Sequence, residues 1–441
     1  MVRVITYGTY DLIHYGHIKL LERAKALGDY LIVGVTSDDF DKQRGKINVQ
    51  QSLMERIEGV RSTGLADEII VEEYEGQKID DIRRLGVDIF TVGSDWEGYF
   101  DYLKKYCKVI YLPRTQGISS SDLRSEERKT RIGLTGESSV LRKYLNECTY
   151  VNGIEVKAVY TESIKTRNEY KNFAVDSYDK LLSSVDAVYI IANPTRHYEY
   201  IKRALDKGVH VLCESPIALN ENQTRELFDL AESKNLILME SIKTAYATAY
   251  NRLLLLIKGG KIGKVLSVDA VCTSLKKLNP SNIENTWNSI CAWGPTAMLP
   301  IFDILGANYD DVNLTSYYLN QDKKFDLFTK GDFKYHDAVA SFRVGKGAKS
   351  ESELIVSGTL GYVYVPAPWW KTDYFEIRYE NPADNKRYFY QLDGEGIRYE
   401  LVAFLKSIES RKNTPYIAED SSIAISRVLQ KFYNNEVKII K

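Results

Sequence analysis

Short apolar, β-branched runs recur through the first 130 residues and alternate with stretches of helical periodicity. The runs predict strands, and they lie at residues 2–6, 30–35, 68–71, 88–92 and 108–112. Residues 18–24 and 78–85 repeat apolar side chains at the spacing of one helix face. Strands that alternate with helices predict a parallel sheet, which binds ligands beyond the carboxyl ends of its strands.

The same alternation starts again at residue 130. Strands are predicted at residues 130–136, 156–160, 187–192 and 209–215, and helices at 198–208 and 221–234. This pattern predicts a second doubly wound unit. Tyr, Val and Glu then alternate between residues 354 and 379, which indicates further strands.

Composition restricts the class of protein. A chain of 441 residues is long enough for two or three domains, and 44% hydrophobic with 27% charged residues is ordinary for a globular protein. The net charge of -1 gives no electrostatic reason to expect nucleic acid or an anionic membrane as a partner. We also find no apolar run of spanning length, no signal-peptide core and no CxxC pair among five cysteines. We therefore expect a cytoplasmic protein with reduced thiols, no zinc site and no membrane insertion.

The turn between the first strand and the first helix, GTYDLIHYGH at residues 8–17, carries two histidines. Free backbone N–H groups and the positive end of a helix dipole converge at such a turn, so His14 and His17 are placed to donate to phosphate oxygens. Polar segments also follow the later strands: SDDF at 37–40, RGK at 44–46, GSDWEG at 93–98 and RTQGISS at 114–120. A histidine pair alone is more often structural, but these segments should meet at one sheet edge and favour a phosphate site.

These blocks, in this order, resemble the glycerol-3-phosphate cytidylyltransferase family, whose HxGH signature is HYGH here. The resemblance covers residues 2–125 and implies a homodimer or higher homo-oligomer. The implied reaction converts CTP and a polyol phosphate into pyrophosphate and a CDP-polyol, with CDP-glycerol expected first. Mg²⁺ is implied on the CTP phosphates, with no side-chain metal ligand. The implied pathway is cell-wall or capsule polysaccharide biosynthesis.

The resemblance also implies site residues. The catalytic residues are His14, His17, Lys46 and Arg114. The nucleotide-binding residues are Gly8, Thr9, Tyr10, Asp11, Gly16, Asp38, Arg44, Asp95, Thr115, Ile118 and Ser119, and the acceptor-binding residues are Lys78 and Arg61. Arg44 and Tyr74 stand where the family usually has Lys and Trp, and residues 61–67 carry an insertion. Glycerol phosphate and ribitol phosphate therefore both stay open as acceptors.

Residues 130–441 resemble the Gfo/Idh/MocA oxidoreductases. The motifs are NPTRH at 193–197, VLCESP at 211–216, MESIKTAY at 239–246 and DGEGIRYEL at 393–401. This resemblance implies a Rossmann domain followed by an α+β domain with an antiparallel sheet. We therefore predict an α/β chain of three domains. They are a cytidylyltransferase domain at 1–128, a Rossmann domain at 129–246 and an α+β domain at 247–441.

The second unit departs from that family at its chemistry-bearing positions. Gly136 stands as the first glycine of a dinucleotide turn but Ser138 takes the second position, and Thr161 follows Tyr160 where an acidic residue is usual. With Asn193 and Glu214 they form a candidate site for NADP or NAD; a polar loop without ligand is equally compatible. Ser215 replaces the family's lysine, so a second catalytic site would depend on Lys243 and His197. A core or capping role for His197 is equally compatible with its position.

Three functions follow from these patterns. The first is a cytidylyltransferase fused to a divergent oxidoreductase-like domain. The second is a bifunctional enzyme whose second unit reduces a ketose phosphate with NAD(P)H, supplying a polyol phosphate such as ribitol 5-phosphate. The third, an assembly protein of two inert folds, is disfavoured by the intact HYGH and RTQGISS segments.

Overall fold

The computed structural model divides the chain into two compact units, Met1–Lys129 and Thr130–Lys441. The predicted boundary between residues 246 and 247 lies inside the second unit. The structure describes all residues except 14, 44–48, 50, 75, 114–128, 137–140, 152, 277, 279–282, 284–285, 391, 412–415 and 441, and also omits the side chains of 42–43, 164–166 and 393–394. Within the described ranges, no helix is long and apolar enough to cross a membrane.

The first unit is built on a parallel sheet with the strand order β3-β2-β1-β4-β5. Its elements are β1 (Arg3–Gly8), α1 (Tyr15–Lys25), β2 (Tyr30–Thr36), α2 (Asp38–Gln43), α3 (Leu53–Ser62), β3 (Glu68–Glu72), α4 (Gln77–Leu85), β4 (Ile89–Gly93) and β5 (Lys108–Leu112), with 3₁₀ turns at Ser94–Trp96 and Asp101–Lys105. From β1 the chain continues to β2 and β3 on one side of the sheet, and from β4 it continues to β5 on the other side. This reversal leaves a crevice at the carboxyl ends of these two strands.

Helices cover both faces of this sheet, so β1 is buried on both sides. Val4 packs in a cluster with residues of α1 and α3, whereas the next side chains along, Ile5 and Tyr7, pack with residues of α4. Tyr7 also donates a hydrogen bond to Asp81 at 2.9 Å. Its ring lies across β2 at Gly34, where a Cβ would come within 2.2 Å of a ring carbon. The glycine therefore makes room for the aromatic side chain.

The second unit begins with another parallel sheet, in the order β10-β9-β8-β6-β7. Its elements are β6 (Thr130–Gly136), α5 (Leu141–Cys148), β7 (Ile154–Tyr160), α6 (Ile164–Glu169), α7 (Tyr178–Ser184), β8 (Ala187–Ile191), α8 (Pro194–Asp206), β9 (His210–Glu214), α9 (Glu221–Ser233) and β10 (Leu238–Ser241). Helix α8 begins four residues before its predicted start. Pro194 suits a first helical turn, and Asn193 caps the helix by accepting from the N–H of Thr195 at 3.1 Å.

A third sheet completes the second unit. The remaining elements are a 3₁₀ turn at Lys243–Tyr246, α10 (Thr248–Lys258), β11 (Val265–Leu275), α11 (Ser289–Leu305), β12 (Asp311–Asn320), β13 (Phe325–Lys334), β14 (Val339–Gly345), β15 (Gly347–Ala348), β16 (Leu354–Gly358), β17 (Tyr362–Val365), a 3₁₀ turn at Trp369–Lys371, β18 (Tyr374–Arg378), a 3₁₀ turn at Pro382–Asp384, β19 (Lys386–Phe389), a 3₁₀ turn at Asp393–Gly396, α12 (Ile397–Ser410), α13 (Glu419–Tyr433) and β20 (Val437–Ile439). The strand path is β19-β18-β17-β16-β11-β14-β13-β12-β20, and β15 pairs with β11.

The third sheet is mixed, with mostly antiparallel pairs and two parallel ones among its described strands. β11 pairs with β14 and β12 pairs with β20 in parallel, while its other pairs are antiparallel. Both parallel pairs join strands that are separated along the chain by a helix, and a crossover of this length is what parallel pairing requires. The expected α/β class, with two Rossmann-like sheets and a further sheet, is confirmed.

Gly34→Ala is expected to destabilise the first unit by about 1–3 kcal/mol, because the new methyl group would overlap the ring of Tyr7. Hydrogen exchange of peptides from β1 and β2, measured on the full chain, would report the loss. Gly93→Ala is the matched control on the same sheet, since nothing lies within 4 Å of its added Cβ. Equal protection in the two variants would contradict this packing.

Candidate active sites

The loop after β1 is the centre of the first candidate site. Tyr10 and Leu12 have φ angles of 53° and 48°, a left-handed conformation that non-glycine residues adopt rarely. Tyr10 is almost fully buried, and its ring packs edge-on against His17 with 5.5 Å between centroids. His17 lies in the first turn of α1, where the positive end of the helix dipole favours anions. A strained loop of this kind persists only when its surroundings fix it.

A buried arginine on α3 fixes this loop. The guanidinium of Arg56 donates to the carbonyl oxygens of Thr9 and Thr36 at 2.7 and 2.8 Å. It also pairs with the carboxylates of Asp38 and Asp41. These acceptors belong to the ends of β1 and β2 and to α2. One side chain therefore joins three segments at the carboxyl edge of the sheet.

Polar side chains beside Arg56 complete the attachment of the loop. Asp11 accepts the N–H of Gln51 at 3.0 Å, and the side-chain oxygen of Gln51 accepts the N–H of Leu12 at 2.8 Å. The hydroxyl of Thr9 donates to Asp41 at 2.8 Å. Helix α3 starts next to these contacts because Ser52 forms a capping box with the glutamate three residues later. The cap thereby places Gln51 and Arg56 against the loop.

Lys78 lies at the start of α4, near the reversal between β1 and β4. Its ammonium pairs with Glu72 at the end of β3 and lies 4.6 Å from the centroid of the Tyr7 ring. Glu72 also accepts from the hydroxyl of Thr36 at 3.0 Å. Lys78 lines a cavity of about 50 Å³ together with Gly8, Thr9 and aromatic side chains. The carboxylate thus holds a cation beside the same loop.

The structure brings many of the predicted residues of the first unit to one edge of its sheet. They are Gly8, Thr9, Tyr10, Asp11, Gly16, His17, Asp38 and Lys78. Asp95 is exposed in the 3₁₀ turn after β4, on the strand next to β1. Arg61 lies in the exposed last turn of α3 and pairs with Glu58. His14, Arg44, Lys46, Arg114, Thr115, Ile118 and Ser119 lie outside the described residues, and their roles stay predictions.

Sequence reasoning missed Arg56, Gln51 and Glu72. A signal for Arg56 existed, because it shares the apolar face of α3 with Ile57 and Val60. A charged residue on such a face needs buried partners. The residues next to Gln51 in the sequence do not indicate that it contacts the loop after β1. Those next to Glu72 do not indicate that it pairs with Lys78.

The second candidate site is a pocket of about 810 Å³ in the second unit. It lies at the carboxyl ends of β6, β7 and β8, where the strand order reverses, and it is also lined by residues of α11 and of the segments that flank the third-sheet strands. The predicted residues that line it are Gly136, Thr161, Asn193, Glu214 and Lys243. Ser138 lies outside the described residues.

Gly136 at the end of β6 is required by close packing. Its φ is 149°, and a Cβ there would lie 2.4 Å from the carbonyl oxygen of Ile191 at the end of β8. The glycine therefore lets the ends of β6 and β8 meet, in the turn where a dinucleotide-binding fold also carries glycine. Thr161 is buried at the end of β7, and its hydroxyl accepts the N–H of Ser163 at 3.2 Å. These residues fit a dinucleotide along the strand ends.

Lys243 and Glu214 place opposite charges in this pocket. Tyr144 donates its hydroxyl to Glu214, and the ammonium of Lys243 lies 5.8 Å from the centroid of the Tyr144 ring. Burial raises the pKa of Glu214, and the charge of Lys243 opposes that shift. Ser215, at the position of the family's lysine, instead donates to the buried carboxyl of Glu240. Lys243 is therefore the cation beside the carboxyl ends of β9 and β10.

Next to this pair, Glu400 reaches the sheet from α12. It is fully buried and accepts from the hydroxyls of Tyr189 and Ser241, each at 2.7 Å. Burial, reinforced by the charge of Glu214, raises the pKa of Glu400 to about 8. This carboxyl therefore stays largely protonated at neutral pH and joins α12 to β8 and β10.

His197, a candidate for the second catalytic site, lies in the core of the second unit. It is fully buried, its Nδ1 lies 2.7 Å from the carbonyl oxygen of Pro216, and its Nε2 lies 2.8 Å from that of Ala192. Burial lowers its pKa. The imidazole on α8 therefore lies between the backbone oxygens that follow β8 and β9, and its neutral form donates to one of them.

Comparison with known proteins confirms both resemblances. Residues 5–126 match the family model described as cytidylyltransferase-like, and residues 130–242 match that of the oxidoreductase family with an NAD-binding Rossmann fold. The glycerol-3-phosphate cytidylyltransferase of Bacillus spizizenii is 52% identical over 126 residues, which are 29% of this chain and 97% of that protein.

Two further proteins are similar to this chain. The dTDP-3,4-didehydro-2,6-dideoxy-alpha-D-glucose 3-reductase of Streptomyces violaceoruber is 35% identical over 153 residues, 33% of this chain and 45% of that protein. The solved structure of a 3-ketoreductase from Actinomadura kijaniata, in complex with NADP and TDP-benzene, has a similar fold. The superposition covers 71% of this chain and 99% of that chain. The TM-score is 0.63 and the sequence identity is 18%.

Arg56→Lys is expected to lower the free energy of unfolding of the first unit by about 2 kcal/mol or more, because an ammonium cannot reach all the oxygens that the guanidinium contacts. Hydrogen exchange of peptides from residues 3–13 and 30–41 would localise the effect. Arg61→Lys on the same helix is the control; it is exposed and should change stability by less than about 0.5 kcal/mol. Similar exchange rates in the two variants would refute the attachment role.

Proposed function

The chain belongs to the cytidylyltransferase-like family, and we propose that its first unit transfers the cytidylyl group of CTP to a polyol phosphate. CDP-glycerol is the proposed product, because the Bacillus spizizenii relative carries the name glycerol-3-phosphate cytidylyltransferase and nearly its whole length is matched. The observation that carries the proposal is the loop after β1, held by Arg56 with His17 in the following helical turn. A homo-oligomer and a place in cell-wall or capsule polymer synthesis belong to the same proposal.

The reaction is a displacement at phosphorus. An oxygen of the acceptor phosphate forms a bond to the α-phosphorus of CTP, and the bond to the bridging oxygen breaks as pyrophosphate leaves with the electron pair. The acceptor is already a nucleophile near neutral pH, so the site chiefly has to hold two anions in line and stabilise charge. Mg²⁺ bound to the CTP phosphates would neutralise part of that charge.

His17 and Lys78 suit these tasks. A ring N–H of His17, together with the positive end of α1, would stabilise charge on the α-phosphoryl group. Lys78 would attract the acceptor phosphate, while its contacts with Glu72 and Tyr7 hold the ammonium at the crevice. Both residues belong to elements that the strand reversal brings beside Gly8 and Thr9.

The pocket of the second unit favours a second function, reduction of a ketose phosphate to the polyol phosphate. NADPH or NADH would supply the hydride, which adds to the carbonyl carbon while a proton adds to the oxygen. We assign that proton to the ammonium of Lys243, which lines the pocket. The side chain of Ser215 is an uncharged hydroxyl that already donates to Glu240. The second unit would then make the acceptor that the first unit consumes.

His17→Ala is expected to lower the rate of CDP-polyol formation about 100-fold or more, because a donor to the transition state is lost. The rate is measured as pyrophosphate release from CTP, Mg²⁺ and glycerol 3-phosphate. His336→Ala, which changes an exposed histidine of the second unit, is the control and should keep the parent rate. Near-normal turnover by His17→Ala would reject the proposed role.

Lys243→Met is expected to lower NADPH oxidation by ketose phosphates about 100-fold, with pyrophosphate release unchanged. Lys258→Met, an exposed lysine at the end of α10, is the control. Dihydroxyacetone phosphate and ribulose 5-phosphate are the first substrates to test. A parent chain that oxidises neither NADPH nor NADH with them would reject the second function and leave the first untouched.

A further inference from the structure

The pocket of the second unit has a part that the dinucleotide does not account for. Helix α11 and the connections that flank the third-sheet strands contribute three tryptophans and three lysines to its wall. They are Trp287, Trp293, Trp370, Lys276, Lys346 and Lys371, of which Lys371 pairs with Glu395. None of these tryptophans and lysines lies in the motifs on which the resemblance to the oxidoreductases is based.

Lys346 directly follows β14 and is only 4% exposed. Its ammonium donates to the carbonyl oxygen of Trp287, and its backbone N–H donates to the hydroxyl of Ser289 at 3.1 Å. Its own carbonyl accepts the N–H of Lys276 at 3.0 Å, across the pairing of β11 with β15. Two lysines on neighbouring segments thus line the same pocket.

The charges around Lys346 do not balance. Lys276 repels it, while Cys291 and the carboxylate of Asp326 are the other titratable groups that act on it. Asp326 accepts from the N–H of Ile290 at 3.2 Å, and none of the ion pairs in the described part of the chain contains Lys346. Burial and Lys276 lower the pKa of Lys346 to about 8. A buried cation of this kind is costly unless an anion approaches it.

Two further features of the wall favour an anion with acceptor oxygens. Helix α11 begins at Ser289, so the positive end of its dipole lies beside Lys346. The indole N–H of Trp293 is buried and has no hydrogen-bond acceptor among the described residues. The Trp293 ring packs against that of Trp370, with 4.8 Å between centroids, so its orientation is constrained.

We propose that Lys346 and Lys276 form a subsite for a phosphate group on the substrate of the second unit, with the Trp293–Trp370 pair as its wall. The inference rests on the reductase function proposed for this pocket and assigns its substrate to the phosphate esters. A free ketose phosphate and a CDP-linked product of the first unit share this group. The subsite would therefore bind either compound, and it would not bind a sugar that lacks phosphate.

The test measures ligand protection in the full chain by hydrogen exchange of peptides from residues 265–276 and 339–348. The probes are ribulose 5-phosphate, CDP-glycerol and unphosphorylated ribulose. We expect one or both phosphate-bearing probes to protect these peptides, and ribulose to have no effect at the same concentration. Protection by ribulose 5-phosphate alone identifies the free ester as the ligand, and protection by CDP-glycerol alone identifies the CDP-linked compound.

In Lys346→Met, the probe concentration that gives half of the maximal protection should rise at least 10-fold. Lys349→Met is the matched control, because Lys349 is an exposed lysine three residues further on and does not line the pocket. Lys276→Met, which changes an exposed side chain, covers the case in which the buried substitution prevents folding; it should also weaken binding about 10-fold. Equal protection by ribulose, or parent-like affinity in both pocket variants, overturns the subsite.

Failure of the subsite and failure of the reductase are distinguishable. Binding of a phosphate ester without NADPH oxidation rejects the reductase and keeps the subsite. NADPH oxidation whose KM is the same in Lys346→Met, Lys276→Met and the parent rejects the subsite and keeps the reductase. Hydrogen exchange of the second unit without ligand serves as the folding control in every variant, because each substitution lies in that unit.

Discussion

The buried guanidinium of Arg56 is the interaction on which the first site depends. The loop after β1 contains two non-glycine residues with positive φ, a conformation that costs on the order of 1–3 kcal/mol for each residue. Hydrogen bonds between a charged donor and backbone or carboxylate oxygens contribute about 1.5–3 kcal/mol each, enough to offset that strain. The dependence is mutual, since a buried charge needs all its partners. The loop conformation, the charge and the ends of β1 and β2 therefore form one unit.

A comparable constraint operates at the strand reversal of the second unit, with different chemistry. Gly136 lets β6 and β8 approach closely, and His197 on α8 lies between the backbone oxygens that follow β8 and β9. Glu400, largely neutral, then joins these strands to α12 near the C-terminal end of the chain. The edge of the first sheet is thus held by a buried cation, whereas the second is held by close packing and a neutral carboxyl.

The departures of the second unit from the oxidoreductases that it resembles have a structural counterpart. At the position of the lysine of these oxidoreductases, the hydroxyl of Ser215 contacts a buried carboxyl, and the cations that line the pocket include Lys243, Lys276 and Lys346. These lysines lie on three separate segments of the second unit. A pocket with this charge distribution suits a phosphorylated substrate, which connects its chemistry to that of the first unit.

The sequence by itself determined the two α/β units, their strands and the strand-to-helix turn that carries His17, because apolar periodicity and turn composition act over a few neighbouring residues. It also predicted Gly136 and Lys243 through their motifs. Only the tertiary structure decided the partners of Arg56, the pairing of Lys78 with Glu72, the core position of His197 and the parallel pairs in the third sheet. The same holds for the lysines and tryptophans of the second pocket. The physical reason is distance along the chain: these contacts join segments from tens to hundreds of residues apart, and their energies depend on burial that no local pattern records.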